Sequence, residues 1–441
     1  MAEQSMSVRP YWELTFDAEG NVDRGERERL FAGVAREGVR DLLVFAHGWN
    51  ADRATATRLY DRFFAPLPAL APGAALGYVG VVWPSMRFPD EPVPDFTPSA
   101  TAAPSARPAL DTGTRHALLE TFPGRAEVLD RMGHLLDERP RQRAELARFG
   151  ELVRQFVEVG PREPFAADLS AEGEPWMFSA PPETVCDELA RALDGLASPG
   201  GTPGFSLPDP WDGARELLRQ AAYFAIKRRA GTVGEHGLGL ALGQLALSAP
   251  RLRVHLVGHS FGARLVAFAL AGLPEGVRPV KSVTLLQGAF SHYAFAACLP
   301  EEPGTGGVLR GRQNRIDGPL VCCYSHFDSA LGTIYPLVSC LSDDCRSLAG
   351  SGLGGLLGPK WGALGHDGVR GVPGTVEVTL AEALATRLPD SGCVNVDAAS
   401  VVRRGGAPAG AHSDILHPEL ARVVLAAGRI ARPAAAPTSP V

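Results

Sequence analysis

The sequence has little lysine and no concentration of positive charge. Three of its 43 basic residues are lysines, and the formal net charge is -6. Domains that bind nucleic acid usually carry a basic excess or a basic patch on one face. The composition therefore argues against nucleic acid as a partner.

The sequence also lacks the segments that direct a chain to or across a membrane. The first 20 residues do not combine a basic start with the apolar run of a secretory signal. No apolar stretch of the chain is long enough to span a bilayer. These absences predict a cytoplasmic protein without a transmembrane segment.

Cysteine is scarce, and the sequence predicts neither a metal nor a cofactor. Seven cysteines are an odd number for a disulfide framework, and adjacent Cys322 and Cys323 are expected to be free thiols in the core. Cys340 and Cys345 form one pair, but no second pair or histidine cluster follows at zinc spacing. Residues 350–355 contain the letters of the dinucleotide-binding pattern G-x-G-x-x-G, but an extra glycine stands one place early and no strand precedes them, and the Walker pattern is absent.

The clearest pattern in the chain is a series of short apolar runs separated by helical segments. Continuous apolar strands are typical of a parallel sheet that is covered on both faces. Strands that alternate with helices then predict an α/β fold, with a mostly parallel central sheet flanked by helices. The predicted strands are residues 41–48, 77–85, 252–260, 281–290, 318–328 and 392–402.

Other segments indicate how the chain divides into a core, an insertion and a tail. Residues 9–23 resemble a hairpin at the edge of the sheet. Between the second and third apolar runs, residues 91–209 are predicted to form a helical insertion or lid, which begins with a loop rich in Pro, Ser and Ala. The core is then formed by residues 1–90 and 210–430, and residues 431–441 form a disordered tail.

Within the insertion, residues 143–160 carry apolar residues at spacings of three and four. This spacing places them on one face of an amphipathic helix. The predicted buried residues are Leu146, Phe149, Leu152, Val153, Phe156 and Val157.

The stretch Gly258-His259-Ser260-Phe261-Gly262 matches the G-x-S-x-G pattern of a nucleophile elbow. In a chain with 50 glycines the pattern alone is weak evidence. Its context is stronger, because an apolar strand leads into it and a helical segment follows at once. The alternative is an ordinary strand–turn–helix connection in which Ser260 caps the helix.

A nucleophilic serine needs a histidine as base and a carboxylate that orients the histidine. With its elbow, the chain resembles the α/β-hydrolase superfamily over residues 11–90 and about 210–425. That resemblance implies the order serine, acid, histidine, with the acid after the second strand beyond the elbow. It points to Asp328 and, after the next strand, to His412.

Other residues could take these two roles. Asp343 or Asp344 could replace Asp328, although they lie far along the following segment. His417 could replace His412, but it stands beside a proline in the predicted C-terminal helix.

The negative charge that develops on the substrate requires backbone N–H donors. One donor is expected from Phe261, directly after the serine. The resemblance implies that the second donor is the N–H of Trp49, in the His-Gly loop of residues 47–50 after an early strand. The alternative for this loop is a simple turn with Asn50 or Asp52 as the helix cap, and both interpretations can hold together.

The remaining polar residues have structural interpretations, and some of them also have a functional alternative. His292 and His326 follow strands, so they either line the mouth of the site or are surface residues. His255 is expected to be a hydrogen-bonded structural residue, and His259 to help form the turn. Residues 227–229, Lys-Arg-Arg at a predicted helix end, either contact an anionic substrate or stabilise the helix dipole.

The stretches "AHGWN", "VVWPS", "KRRAGTVG" and "GHSFGAR" together are similar to those of a poorly characterised bacterial group of hydrolases within this superfamily. The resemblance implies a serine hydrolase that cleaves a carboxylic ester or related acyl bond through an acyl-enzyme, esterase- or lipase-like, on a small-molecule acyl substrate. Two alternatives stay open: a non-catalytic binding or scaffold protein with this fold, and an acyltransferase that uses the same residues.

Overall fold

A computed structural model describes residues 6–49, 51–85, 110–157, 177, 180–197, 209–300, 303–331, 362–406 and 410–430. The chain divides into two compact units. The first comprises Met1–Ser85, Arg229–Pro336 and Pro359–Val441, and the second comprises Met86–Arg228 and Leu337–Gly358. The predicted insertion, residues 91–209, falls within the second unit, and the predicted tail lies outside the described residues.

The first unit contains an eight-stranded sheet in which all strands are parallel. The strands are β1 (Tyr11–Thr15), β2 (Asp41–Ala46), β3 (Leu76–Val82), β4 (Arg253–His259), β5 (Val280–Leu286), β6 (Pro319–Tyr324), β7 (Val376–Thr379) and β8 (Gly392–Asp397). Their order across the sheet is β1-β3-β2-β4-β5-β6-β8-β7. Every residue of β2 and β3 is buried, as expected for strands covered on both faces. The α/β fold and all six predicted strands are confirmed.

The two edges of the sheet differ from expectation. Tyr11–Thr15 forms an edge strand, but its predicted hairpin partner is reduced to one antiparallel bridge between Phe16 and Val22. The carboxylate of Asp17 closes this turn by accepting from the backbone N–H of Asn21 at 2.8 Å. Strand β7 was not predicted, because four mostly exposed residues, VEVT, leave no apolar run in the sequence.

Helices cover the sheet and make up the described part of the second unit. They are α1 (Arg24–Arg36), α2 (Arg53–Phe64), α3 (Leu67–Leu70), α4 (Thr112–Thr121), α5 (Ala126–Glu138), α6 (Arg143–Phe156), α7 (Pro182–Ala197), α8 (Pro210–Thr232), α9 (Gly239–Ser248), α10 (Phe261–Gly272), α11 (Leu364–Asp367), α12 (Leu380–Ala385) and α13 (Pro418–Gly428). A π-helical segment, Val233–Leu238, joins α8 to α9, and a short 3-10 turn spans Arg312–Arg315.

The predicted amphipathic helix of the second unit is α6, and its apolar face is buried. The buried residues are Leu146, Phe149, Leu152, Val153 and Phe156, and Val157 just beyond the helix is buried as well. Trp211 of the same unit places its ring edge-to-face with Phe149, with 5.9 Å between the ring centroids. Its indole N–H donates to the carbonyl of Pro140 at 3.0 Å, so the polar atom of this buried ring is satisfied.

The strand order gives the first unit's sheet a topological switch point between β2 and β4. From β2 the chain continues to β3 on one side, whereas from its neighbour β4 it continues to β5 on the other side. Connections that leave two adjacent parallel strands in opposite directions open a space beyond the carboxyl ends of the strands, where α/β proteins bind ligands. The loops after β2 and β4, which start at His47 and Ser260, both lie at this switch point.

Two further sequence-based expectations concern membranes and cysteines. Among the described residues, none of the helices has the length and apolar character needed to cross a bilayer. Cys322 and Cys323 are buried in β6 and free, as predicted, and burial raises the pKa of both thiols. Cys340 and Cys345 lie outside the described residues.

The close packing of the π-helical segment against α10 leads to a prediction about stability. A Cβ on Gly234 would lie 2.2 Å from the carbonyl oxygen of Leu265, whereas one on Gly25 in α1 would approach only side-chain atoms, Nη1 of Arg29 at 3.2 Å and Oδ1 of Asp23 at 3.4 Å. We expect Gly234→Ala to lower the free energy of unfolding by about 1–3 kcal/mol. Gly25→Ala, the control, should be neutral or stabilising by up to about 1 kcal/mol. Urea denaturation checks this, and equal midpoints for the two variants would contradict it.

Candidate active site

Ser260 lies at the tip of a tight turn between β4 and α10. Its φ and ψ are 57° and -122°, a conformation that side chains rarely adopt, which costs of order 1–3 kcal/mol and is found mainly at functional sites. A Cβ on Gly258 would lie 2.3 Å from the carbonyl oxygen of Gly262. One on Gly262 would lie 1.9 Å from that of Ala46 at the end of β2. Both flanking glycines are therefore required by close backbone contacts.

The structure brings the three predicted reactive side chains together. The hydroxyl of Ser260 lies 2.8 Å from Nε2 of His412, and Nδ1 of His412 lies 2.8 Å from Oδ2 of Asp328. An ionised carboxylate only accepts, so Nδ1–H donates to it and Nε2 is left to accept from the serine. This is the arrangement in which a histidine can remove the proton of a serine.

Asp328 is held by its own loop after β6. Its side chain is fully buried, and its other carboxylate oxygen accepts from the backbone N–H of Leu331 at 3.1 Å. Its backbone N–H donates to the carbonyl of Ser325, whose hydroxyl donates to the carbonyl of Val402 at 2.6 Å. A buried carboxylate bonded on both oxygens keeps a fixed orientation toward His412.

The His-Gly loop after β2 lies directly against the serine. A Cβ on Gly48 would lie 2.6 Å from the Cβ of Ser260, so only glycine fits there. Trp49 follows, and its ring stands edge-to-face with that of Phe261 at 6.0 Å between centroids. Phe261 is the first residue of α10, so its N–H lies at the positive end of the helix dipole. The two residues predicted to stabilise an oxyanion are thus neighbours beside the serine.

His47 fixes the shape of this loop. Its Nδ1 lies 2.9 Å from the carbonyl oxygen of Gly48, to which it donates. Its backbone N–H donates to the hydroxyl of Tyr60 at 3.0 Å, and its carbonyl accepts from the indole N–H of Trp83 at 3.0 Å. The rings of His47 and Trp83 also stack, with centroids 5.6 Å apart. These contacts orient the peptide between Gly48 and Trp49.

Sequence reasoning did not identify Tyr60 and Trp83 as support for the site. The available signal was the aromatic residue directly after a buried strand in "VVWPS". The helix-cap interpretation of the loop is confirmed for Asp52, whose side chain caps α2 by accepting from the N–H of Thr55 at 2.7 Å. Asn50 lies outside the described residues.

His259 has a contact that its place in the turn did not suggest. Its Nε2 lies 2.8 Å from the backbone carbonyl oxygen of His412. Burial, assisted by the neighbouring His412, lowers the pKa of His259 to about 3, and burial lowers the pKa of His47 to about 4. Both imidazoles are therefore neutral at physiological pH.

Different contacts are seen at His292, His366, His326 and His417. His292 is buried and bonded to the carboxylate of Asp367 at 3.1 Å, and His366 is bonded to the same carboxylate at 2.8 Å. The pair of histidines lowers the pKa of Asp367, and Asp367 raises the pKa of His366. His326 is exposed, and its ring lies beside Phe327. His417 precedes α13 and bonds Asp414 at 2.8 Å.

His255 is bonded on both ring nitrogens, as a structural residue should be. Its Nε2 lies 3.0 Å from Oδ1 of Asp41 and its Nδ1 lies 2.9 Å from the hydroxyl of Ser282. All three residues lie toward the amino ends of β2, β4 and β5, away from the switch point. Burial lowers the pKa of His255.

Comparison of the chain with protein-family models, with curated proteins and with solved structures gives no significant match. The geometry of the described residues therefore carries the functional argument.

The remaining predicted residues either make other contacts or lie outside the described ranges. Residues 227–229 were predicted to lie at a helix end. Arg229 is in the last turn of α8, but the chain continues directly into the π-helical segment and α9. Arg229 instead donates to the carbonyl of Pro84, after β3, at 3.3 Å. Asp343, Asp344 and residues 350–355 lie outside the described ranges. Within those ranges, no group of His, Cys, Asp or Glu could hold a metal ion.

The buried neutral histidines predict how stability responds to pH. In the unfolded chain His47 titrates near its ordinary value of 6.5, and in the folded chain near 4. Between these values the unfolded state binds more protons, so the free energy of unfolding falls as the pH falls, by up to about 1.4 kcal/mol per pH unit for each such histidine. His47→Asn keeps an N–H donor near Nδ1 but does not titrate, so we expect its stability to fall less steeply.

Urea denaturation of the wild type and His47→Asn between pH 7.5 and pH 4 measures the two slopes. Equal slopes across the window from 6.5 to 4 would contradict the assignment of a neutral, buried His47.

Proposed function

We propose that the protein is a serine hydrolase that cleaves a carboxylic ester or related acyl bond through an acyl-enzyme. The observation that carries the proposal is the pair of 2.8 Å contacts that join Ser260 to His412 and His412 to Asp328. The turn around Ser260 and its position beside the start of α10 support it. The α/β-hydrolase resemblance of the sequence agrees with this assignment.

In the first half of the reaction, Oγ of Ser260 attacks the carbonyl carbon while Nε2 of His412 takes its proton. The buried carboxylate of Asp328 stabilises the imidazolium that forms. The backbone N–H groups of Phe261 and Trp49 donate to the oxyanion of the tetrahedral intermediate. The carbon–oxygen bond to the alcohol then breaks, and His412 returns its proton to the departing oxygen.

In the second half, water replaces the alcohol. The water oxygen attacks the carbonyl carbon of the acyl-enzyme while His412 accepts a proton from the water. A second oxyanion then forms beside the same backbone N–H groups. The bond to Oγ of Ser260 breaks, the serine regains its proton from His412, and the carboxylic acid leaves. The enzyme returns to its starting state without a metal ion or cofactor in any step.

Covalent labelling tests the nucleophile. A fluorophosphonate forms a P–O bond to an activated serine and releases fluoride. We expect an adduct on Ser260 in the wild type and none on Ser260→Ala, with ester hydrolysis lowered by about 10⁴-fold or more. Mass spectrometry of the labelled peptide and assays with nitrophenyl esters of increasing acyl length provide the two measurements.

Ser282→Ala is the matched control, because Ser282 is also bonded to a histidine that contacts an aspartate. This variant should label at Ser260 and retain esterase activity. If folded wild type forms no adduct, and Ser260→Ala hydrolyses the esters at the wild-type rate, the hydrolase proposal fails.

A second prediction concerns Asp328. Replacing it by asparagine removes the charge that stabilises the imidazolium of His412 during the reaction, and the acceptor that fixes the tautomer of its neutral imidazole. We expect Asp328→Asn to lower kcat by about 10⁴-fold, with little change in KM.

The control is Asp367→Asn, which alters another carboxylate that is bonded to histidines near the same edge of the sheet. Steady-state kinetics on one nitrophenyl ester compares the two variants. A similar modest loss of kcat in both would mean that Asp328 does not orient the base.

A further inference from the structure

We propose that His259 is a positioning residue that holds the backbone of His412, and through it the imidazole that activates Ser260. This inference rests on the proposed function for its effect on catalysis. The contact that carries it is the hydrogen bond from Nε2–H of His259 to the carbonyl oxygen of His412, at 2.8 Å. The rings of the two histidines lie 5.1 Å apart, so His259 acts on the main chain of His412 from beside it.

The acceptor decides which ring nitrogen of His259 carries the hydrogen. A backbone carbonyl has no proton to give, so Nε2 must carry the hydrogen. The residue is 5% exposed, and its burial holds the pKa near 3, so the ring stays neutral over the range in which esterases work. The hydrogen bond should therefore persist unchanged while His412 gains and loses protons.

The chain around His412 needs such support because it is irregular. His412 stands between β8 and α13, and residues 410–417 around it form neither helix nor strand. On one side, the N–H of Ala411 donates to the carbonyl of Phe327 at 2.9 Å, which ties the segment to the loop that carries Asp328. On the other side, His259 ties it to the end of β4. Both ties use backbone atoms of the segment and leave the His412 side chain free to react.

These two hydrogen bonds link the segments that carry Ser260, Asp328 and His412, in addition to the contacts between the three side chains. Phe327 directly precedes Asp328, and His259 directly precedes Ser260. The backbone of residues 411–412 is thus bonded to the neighbour of the acid and to the neighbour of the nucleophile. Losing the bond from His259 would let the segment move relative to β4, and a shift of about 1 Å in a catalytic group can cost about 100-fold in rate.

Three variants test the proposal. His259→Leu removes the donor, whereas His259→Gln keeps an N–H near the position of Nε2. His255→Leu is the matched control, because His255 is another buried, bonded histidine four residues earlier on the same strand, about 13 Å from the elbow. Both leucine variants remove a buried hydrogen-bonding ring, and urea denaturation records the stability that each one loses.

The catalytic measurement is the kcat and KM of ester hydrolysis, with the rate of fluorophosphonate labelling at Ser260. We expect His259→Leu to lower kcat and the labelling rate by about 10- to 100-fold with KM nearly unchanged. His259→Gln should recover most of the loss, and His255→Leu should retain the wild-type kcat. Equal kcat in His259→Leu and His255→Leu would overturn the proposal.

The second measurement does not depend on catalysis. Backbone amide hydrogen exchange of peptides that cover residues 410–417 reports how often this segment opens. We expect exchange to rise several-fold, up to about tenfold, in His259→Leu, and to stay at the wild-type rate in His259→Gln and His255→Leu. Unchanged exchange in His259→Leu would overturn the proposal even if Ser260 labels. Faster exchange in a protein that never labels would support the tie and reject the hydrolase function.

Discussion

The close approach between the end of β2 and the turn after β4 is the constraint on which the site depends. The carbonyl oxygen of Ala46 leaves no room for a side chain at Gly262, and Ser260 leaves none at Gly48. Because these backbones are in contact, the His-Gly loop and the start of α10 both lie beside the serine hydroxyl. A side chain at either glycine would push the loop away and separate Trp49 from Phe261.

The three histidines at the site differ in burial and in the groups that they contact. His47 and His259 are buried and neutral, and each donates one N–H to a backbone carbonyl. One of these bonds orients the peptide that leads into Trp49, and the other holds the backbone of His412. His412 itself is 16% exposed at its side chain and is bonded to the carboxylate of Asp328 on one side and to the hydroxyl of Ser260 on the other. His47 and His259 hold backbone segments of the site, whereas the ring of His412 contacts both Ser260 and Asp328.

A second set of the same residue types shows why the types alone do not define a site. Asp41, His255 and Ser282 are joined at 3.0 and 2.9 Å, but the nitrogens are reversed, with Nε2 on the aspartate and Nδ1 on the serine. Ser282 lies within β5, where the backbone N–H groups take part in the sheet. None of the described helices begins at Ser282, whereas α10 begins directly after Ser260. The two sets therefore differ in the backbone N–H groups that surround the serine hydroxyl.

The sequence by itself predicted the α/β class, the six buried strands and the turn at Ser260, because these depend on apolar periodicity and on glycines within a few residues of each other. With the superfamily resemblance it also pointed to Asp328 and His412, since chain order along a parallel sheet determines which strand ends become neighbours. Strand β7 and the single bridge at Phe16 were not predicted, because polar edge residues leave no local pattern.

The tertiary structure alone decided how the site is supported. The bond from His259 to His412 joins residues 153 positions apart, and the bond from Trp83 to His47 joins residues 36 apart. No local pattern encodes such contacts, because they arise only when loops from separate strands meet at the switch point. The sequence therefore determined which groups could react, whereas the packing of β2, β4 and the His412 segment decided that they lie within hydrogen-bonding distance.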